Sequence, residues 1–266
     1  MRAERIALPQ EVRDHLRELC VHEVGFDLDG TILRTPEVYD AAIRETVTIL
    51  VDDLENQKLI VESDVYFRMA IGKMRNVFEV NPLVMEYPVF ALANKLGIPH
   101  DDERVDKAVA RVQRIFSEDR FILFEGAVSI LAAFDRPTLY THAGEAWTER
   151  KITEAGIGVL LGEVVCMDVD RHKRDQWEGW LTQRGVDASD FLMIGDNFQE
   201  DVWPIITMGG RAVFVDHGEV FNEIVEKLKK QERLGELNIL LSAIENRRFA
   251  RVRKLGKVAE AFLGMR

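Results

Sequence analysis

The 266-residue sequence predicts an α/β protein, with a parallel-sheet core flanked by helices and an inserted all-helical domain. Three observations predict it. Short apolar runs of strand length alternate with helical segments from about residue 125 to residue 215. One isolated strand pattern, Val24-Gly25-Phe26-Asp27-Leu28, stands well ahead of that series. Between them lie about eighty residues with helical spacing and no strand pattern, too long a stretch for a simple crossover.

The elements follow in order. Val12, Leu16 and Leu19 fall at helical spacing within Glu11–Cys20. The Val24–Leu28 strand runs directly into acids, so a loop follows it. Ala41, Ile43, Val47, Leu50, Val51 and Leu54 open the helical insertion, in which breaks at Pro82 and Pro99 suggest about four helices. Strands are then expected at 138–140, 163–167, 191–194 and 212–215. Helices are expected at 125–134, 146–155, 176–184 and 199–208. Everything after Glu219 reads as helical, with a break at Gly235. The boundaries are therefore 1–34 and 121–218 for the core, 35–120 for the insertion and 219–266 for a C-terminal helical extension.

Composition narrows the function. Hydrophobic residues make up 47% and charged residues 30%, an ordinary globular balance. No apolar run approaches the roughly 20 residues that span a bilayer, and no signal-peptide core follows the N-terminus, so a cytoplasmic protein is expected. Two cysteines, Cys20 and Cys166, are too few for a disulfide scaffold or zinc cluster. Net charge is −11, unevenly spread: eleven Lys/Arg against seven Asp/Glu give residues 219–266 a charge of +4, leaving −15 for the rest. An acidic body discourages nucleic-acid binding. The tail bases Arg247, Arg248, Arg251, Arg253, Lys254 and Lys257 read as a solvated or docking helix face rather than a nucleic-acid patch. Leu237, Ile239, Leu240, Leu241 and Ile244 need burial against the core or a second copy in a homodimer.

In an open parallel sheet, ligands sit at the carboxyl ends of the strands. Asp27 and Asp29 leave the first strand. Thr141 and His142 leave the second, Asp168 to Arg174 the third, and Gly195, Asp196 and Asp201 the fourth. Carboxylates so close together suit a divalent cation. An all-oxygen donor set favours a hard ion such as Mg²⁺, for which Asp27 and Asp196 are the candidates. Asp27 is a candidate nucleophile towards phosphorus, and Asp29 a candidate proton donor and base. Gly30 permits a sharp turn beside a phosphate. Thr141 offers a hydroxyl to a nonbridging oxygen, and a nearby lysine would offset charge.

These residues resemble the signatures of the haloacid dehalogenase-like hydrolases. Asp27-Leu28-Asp29-Gly30-Thr31 resembles the first, Thr141 the second, Lys173 the third, and Gly195-Asp196 with Asp201 the fourth, over roughly Val21 to Gly218. The resemblance implies a Rossmann-like core and a helical type 1 cap. It also implies Asp27 as nucleophile, Asp29 as general acid/base and Mg²⁺ held by Asp27, the Asp29 carbonyl and Asp196. Asp201 would orient the lysine or the metal's waters, while Gly30, Thr141 and His142 would lie on the phosphate side. The family's dehalogenases lack the second acid of the first signature, because halide leaves without a proton. Asp29 therefore points to a phosphatase acting on a small phosphorylated metabolite. Alternatives are a phosphomutase, or a non-catalytic regulator that binds a partner or nucleic acid through the tail. The third signature departs from the usual Lys-Pro: Arg171-His172-Lys173-Arg174 leaves Arg171 and Arg174 as alternatives to Lys173. Arg68, Lys73 and Arg75 in the insertion are either a grip on an anionic substrate or a solvated helix face.

Overall fold

A computed structural model describes residues 9–51, 55–75, 86–118, 121–168 and 170–265, with side chains for all of these except 72–75 and 117–118. The break expected at Pro82 and the side chains of Lys73 and Arg75 lie outside the described residues. The chain divides into two units. One comprises Met1–Leu33, Leu123–His142 and Gly156–Arg266; the other comprises Arg34–Ile122 and Ala143–Ala155.

The first unit is built on β1 (Glu23–Asp27), β2 (Thr138–Thr141), β3 (Glu163–Cys166), β4 (Phe191–Gly195), β5 (Arg211–Val215) and β6 (Phe249–Val252). All pair in parallel, in the order β3-β2-β1-β4-β5-β6. Strands buried on both faces read as continuous apolar runs, which is why β1, β4 and β5 stand out in the sequence. On one face Phe26 meets Phe134, which caps the C-terminus of α6 (Ala127–Ala133), and Phe134 meets Phe262 of α12 (Val258–Phe262). The other face carries a cluster of Tyr140, Val165, Trp177, Leu181, Phe191 and Met193. Here Gly25 has a packing role: a Cβ on it would lie 2.7 Å from the Phe191 ring and 2.9 Å from Tyr140. The Tyr140 hydroxyl donates to Glu23, whose second oxygen accepts from Arg184 Nε at 2.9 Å. Burial, and then the Glu23 carboxylate, hold that phenol protonated.

The tail corrects the sequence reading. It is not helical throughout. After α10 (Phe221–Lys230) and α11 (Leu234–Glu245), it supplies β6, paired Ala212↔Phe249 to Val215↔Val252. Phe-Ala-Arg-Val is too short a run to separate strand from helix by periodicity, and the open edge of β5 decides. The helix break falls at Gln231–Arg233, and Gly235 lies inside α11. Leu240 and Ala243 bury into the cluster of Phe198, Val202, Phe214 and Phe249, while Ile239, Leu241 and Ile244 remain exposed. Several tail bases are tied internally: Arg251 to Asp216 at 2.7 Å, Arg253 to Glu219 at 3.0 Å and Lys257 to Glu260 at 3.1 Å.

The second unit contains α2 (Thr35–Leu50), α3 (Gln57–Arg75), α4 (Glu86–Leu96) and α5 (Glu103–Glu118). Ala42, Ile43, Val47 and Leu50 of α2 and Val105, Ala108, Val112 and Ile115 of α5 are buried at helical spacing. The unit also takes in α7 (Glu145–Ala155), which the sequence reading assigns to the core segment 121–218. Trp147 explains the difference, packing edge-on against Phe121 at 5.1 Å and Phe116 at 6.4 Å. Arg68 is occupied within this unit by Asp64 and Asp40. Among the described residues, no helix is long and apolar enough to cross a membrane.

Candidate active site

β1 and β4 are adjacent and parallel, so Asp27 at the end of one and Gly195-Asp196 at the end of the other emerge at the same edge. The turn after β1 passes through Gly30 at φ +92°, where a Cβ would lie 2.3 Å from Asp196 Oδ2. Only glycine tolerates both the backbone angle and the carboxylate there. Thr31 follows, fully buried. Its Oγ1 accepts from Asp196 N at 2.9 Å and lies 2.9 Å from Asp196 Oδ1 and 3.2 Å from Asp27 Oδ2. One hydroxyl thus spaces two carboxylates with a single proton.

After β4 the chain forms a π-helical turn, Phe198–Val202, capped by Asn197 Oδ1 accepting from Gln199 N and Glu200 N. Such turns recur at functional sites. This one turns Asp201 inward, 1% exposed, where Oδ2 accepts from Asn197 N. Gly195 leaves room for it, since a Cβ there would lie 2.5 Å from Asp201 Oδ2.

Lys173 closes the cluster. It is 2% exposed, and its ammonium meets Asp27 Oδ1 at 2.7 Å, Asp201 Oδ1 at 2.6 Å and the Tyr140 carbonyl at 3.0 Å. The contacts to Asp27 and the Tyr140 carbonyl are hydrogen bonds, and the one to Asp201 is an ion pair. Burial alone would favour the neutral amine, but the Asp201 and Asp27 carboxylates outweigh it and hold the lysine charged. Arg171 and Arg174 are exposed and turn to Asp175 instead.

Asp27, Asp196 and Asp201 each present an oxygen, all within 4.8 Å of one another. Three carboxylates face one ammonium, a formal surplus of two negative charges. Asp196 feels it: burial first, then the charges of Asp27 and Asp201, push its carboxyl up to about 8 against the pull of the Thr31 hydrogen bond. An all-oxygen set short of two positive charges fits a hard divalent cation. Asp27 and Asp196, with Asp201 beside them, are the residues placed to hold one.

The remaining candidates lie close by in the fold. Asp29 is half-buried in the turn, where its backbone bridges to Leu33. Thr141 stands at the end of β2, one residue beyond the Tyr140 that pairs with Asp27. Its hydroxyl is buried and, among the described residues, has no hydrogen-bond partner. His142 points elsewhere, with Nε2 2.8 Å from the Asp168 carbonyl in the loop after β3. Two contributors escape the sequence reading. Gln176 and Glu200 bind the main chain of the Lys173 loop, a role no residue type announces. Glu200 Oε2 accepts from Arg174 N at 3.0 Å, and its carbonyl accepts from Trp177 Nε1 at 2.7 Å.

The parallel sheet and the acid cluster at its carboxyl edge define an α/β protein with an acidic site of the kind that binds ligands at strand ends. The chain belongs to the haloacid dehalogenase-like hydrolase family, whose signature is matched by residues 24–209. No curated protein sequence matches the chain. Solved structures share the fold at low identity. A haloacid dehalogenase-like family hydrolase from Xanthomonas campestris aligns with a TM-score of 0.67 at 17% identity, over 91% of this chain and 90% of that one. L-2-haloacid dehalogenase from Xanthobacter autotrophicus aligns at 0.55 and 15% identity, over 92% and 100%. YfnB of Bacillus subtilis, a putative hydrolase of the family bound to magnesium, aligns at 0.51 and 14% identity, over 74% and 89%.

Proposed function

We propose that this hydrolase is a Mg²⁺-dependent phosphatase of small phosphorylated metabolites, working through an aspartyl-phosphate on Asp27. The observation that carries the reading is the charge imbalance of the cluster: three carboxylates around one lysine leave room for a divalent cation and, with it, an anionic substrate group. When bound, Mg²⁺ would supply positive charge between the carboxylates and a phosphoryl group, held by Asp27, Asp196 and the Asp29 carbonyl.

The chain's own residues supply the rest. Lys173 orients Asp27 through the 2.7 Å contact between its ammonium and Oδ1. A carboxylate oxygen of Asp27 attacks phosphorus, and the bond from phosphorus to the ester oxygen breaks. The departing alkoxide takes a proton from Asp29. Asp29, now a carboxylate, takes a proton from water as that water attacks phosphorus; the bond to Asp27 breaks and inorganic phosphate leaves. The Thr141 hydroxyl would donate to a nonbridging oxygen, giving the buried hydroxyl a partner, and the turn at Gly30 would let the main chain pass close to the phosphoryl group. Asp29 supports an ester substrate, since an alkoxide needs a proton and a halide does not.

The test is Mg²⁺-dependent phosphate release across a panel of phosphorylated metabolites, with 2-haloacids assayed in parallel for halide release. Turnover lost on chelation and in Asp27→Asn supports the reading. Halide release without phosphate release would overturn it.

A further inference from the structure

The geometry points to Gln176 as the positioning residue that fixes the loop from which Lys173 reaches Asp27 and Asp201. Its kinetic consequence rests on the phosphatase reading; its structural consequence does not.

The argument begins with the lysine. Its three head-group contacts hold only the end of a long side chain with many rotamers. The backbone must be placed as well. Lys173 sits near the end of an irregular connection from β3 to α8 (Trp177–Arg184), in a short 3₁₀ turn over Lys173–Asp175. A proline beside the lysine would stiffen that turn, and this chain has none.

Gln176 takes that place. It is 5% exposed. Its Oε1 accepts from Asp168 N at 2.9 Å, and its Nε2 donates to Asp168 O at 2.7 Å and Arg171 O at 3.1 Å, with His172 O at 3.5 Å. One carboxamide thus fastens the start of the loop and the residues just before Lys173 to the first turn of α8. It also links loops: the Asp168 carbonyl it binds is the one His142 binds from the end of β2. Glu200 anchors the other side of the turn through Arg174 N. A carboxamide suits this job because it alone among side chains of its length offers an acceptor and two donors together. Neither Glu nor Met can replace it: Glu keeps the acceptor without donors, and Met keeps the volume without either.

The test uses the full chain with Gln176→Met and Gln176→Glu. Two readouts need no substrate. In the wild type, the Asp168 amide that Gln176 Oε1 holds should exchange slowly, and the Lys173 ammonium should give a protected signal in ¹H–¹⁵N spectra. In both variants the exchange should quicken at least about tenfold and the ammonium signal should vanish, while amides of β1 and β4 keep their protection. Where a phosphate ester is turned over, kcat should fall about 10- to 100-fold with KM within about threefold, the cost of misplacing a catalytic group by about 1 Å. Unchanged exchange with an intact ammonium signal in the Glu variant overturns the proposal, and so does a rise in KM with kcat preserved. Should Gln176→Met fail to fold, the Glu variant decides alone. If the wild type hydrolyses no ester, the phosphatase reading fails and the two spectroscopic readouts still judge Gln176.

Discussion

Asp196 carries the clearest consequence at the residue scale. Its carboxyl is pushed up to about 8, far above the ordinary value near about 4, so the folded protein binds a proton that the unfolded chain releases. A raised carboxyl contributes stability fully present below about pH 4 and lost as pH climbs through about 8. The metal-free protein should therefore melt at a lower temperature at pH 8.5 than at pH 5.5. A divalent cation held there would compete with that proton, so under the proposed function Mg²⁺ should raise the midpoint more at pH 8.5. Asp196→Asn should weaken both dependences, the remainder belonging to Asp201, which burial pushes up to about 7; thermal denaturation across pH with and without Mg²⁺ would read the change. Asp201→Asn takes a charge from Lys173, and under the proposed function phosphate release should fall about 100- to 1000-fold while the metal-free fold holds or gains stability. Asp27, Asp29, Asp196 and Asp201 are legible in the sequence because each follows a strand pattern within a few positions. Gln176 and Glu200 are not, since they act on main chain and leave no spacing.

At the scale of elements, local packing chooses residues that periodicity ignores. Gly25 sits in mid-strand, where glycine is ordinarily unfavourable, because the Phe191 and Tyr140 rings fill the space over it. Gly25→Ala should cost about 1–3 kcal/mol by overpacking, read from the denaturant midpoint. The buried strands β1, β4 and β5 are visible as apolar runs. By contrast β6 escapes notice: its arginine and half-exposed edge position break the run, and only β5 selects it as a strand. The helix α7 shows the same limit, because Trp147 assigns it to a unit by contacts with Phe116 and Phe121 that no local pattern encodes.

For the whole molecule, the tail is part of the sheet core. Phe249 stacks on Phe221, and Phe262 is fully buried beside Phe134. Truncation after Glu245 should thus abolish cooperative unfolding and all turnover together, which calorimetry would show; tail deletion cannot separate binding from catalysis in this chain. The alternation of strands and helices makes the parallel sheet readable in advance, whereas the sixth strand depends on contacts the sequence does not display.

Strand order has a consequence in time. The strand that bears Asp27 is made well before its neighbours but sits in the middle of the sheet, between partners that begin at Thr138 and Phe191. On a ribosome adding about 5–20 residues each second, roughly 10–35 s separate the synthesis of Asp27 from that of Asp201. During that interval an apolar segment waits without neighbours, the state in which nascent chains aggregate or recruit chaperones. The carboxylate cluster comes together only after Asp196 and Asp201 have been made, so the site stays inert until then.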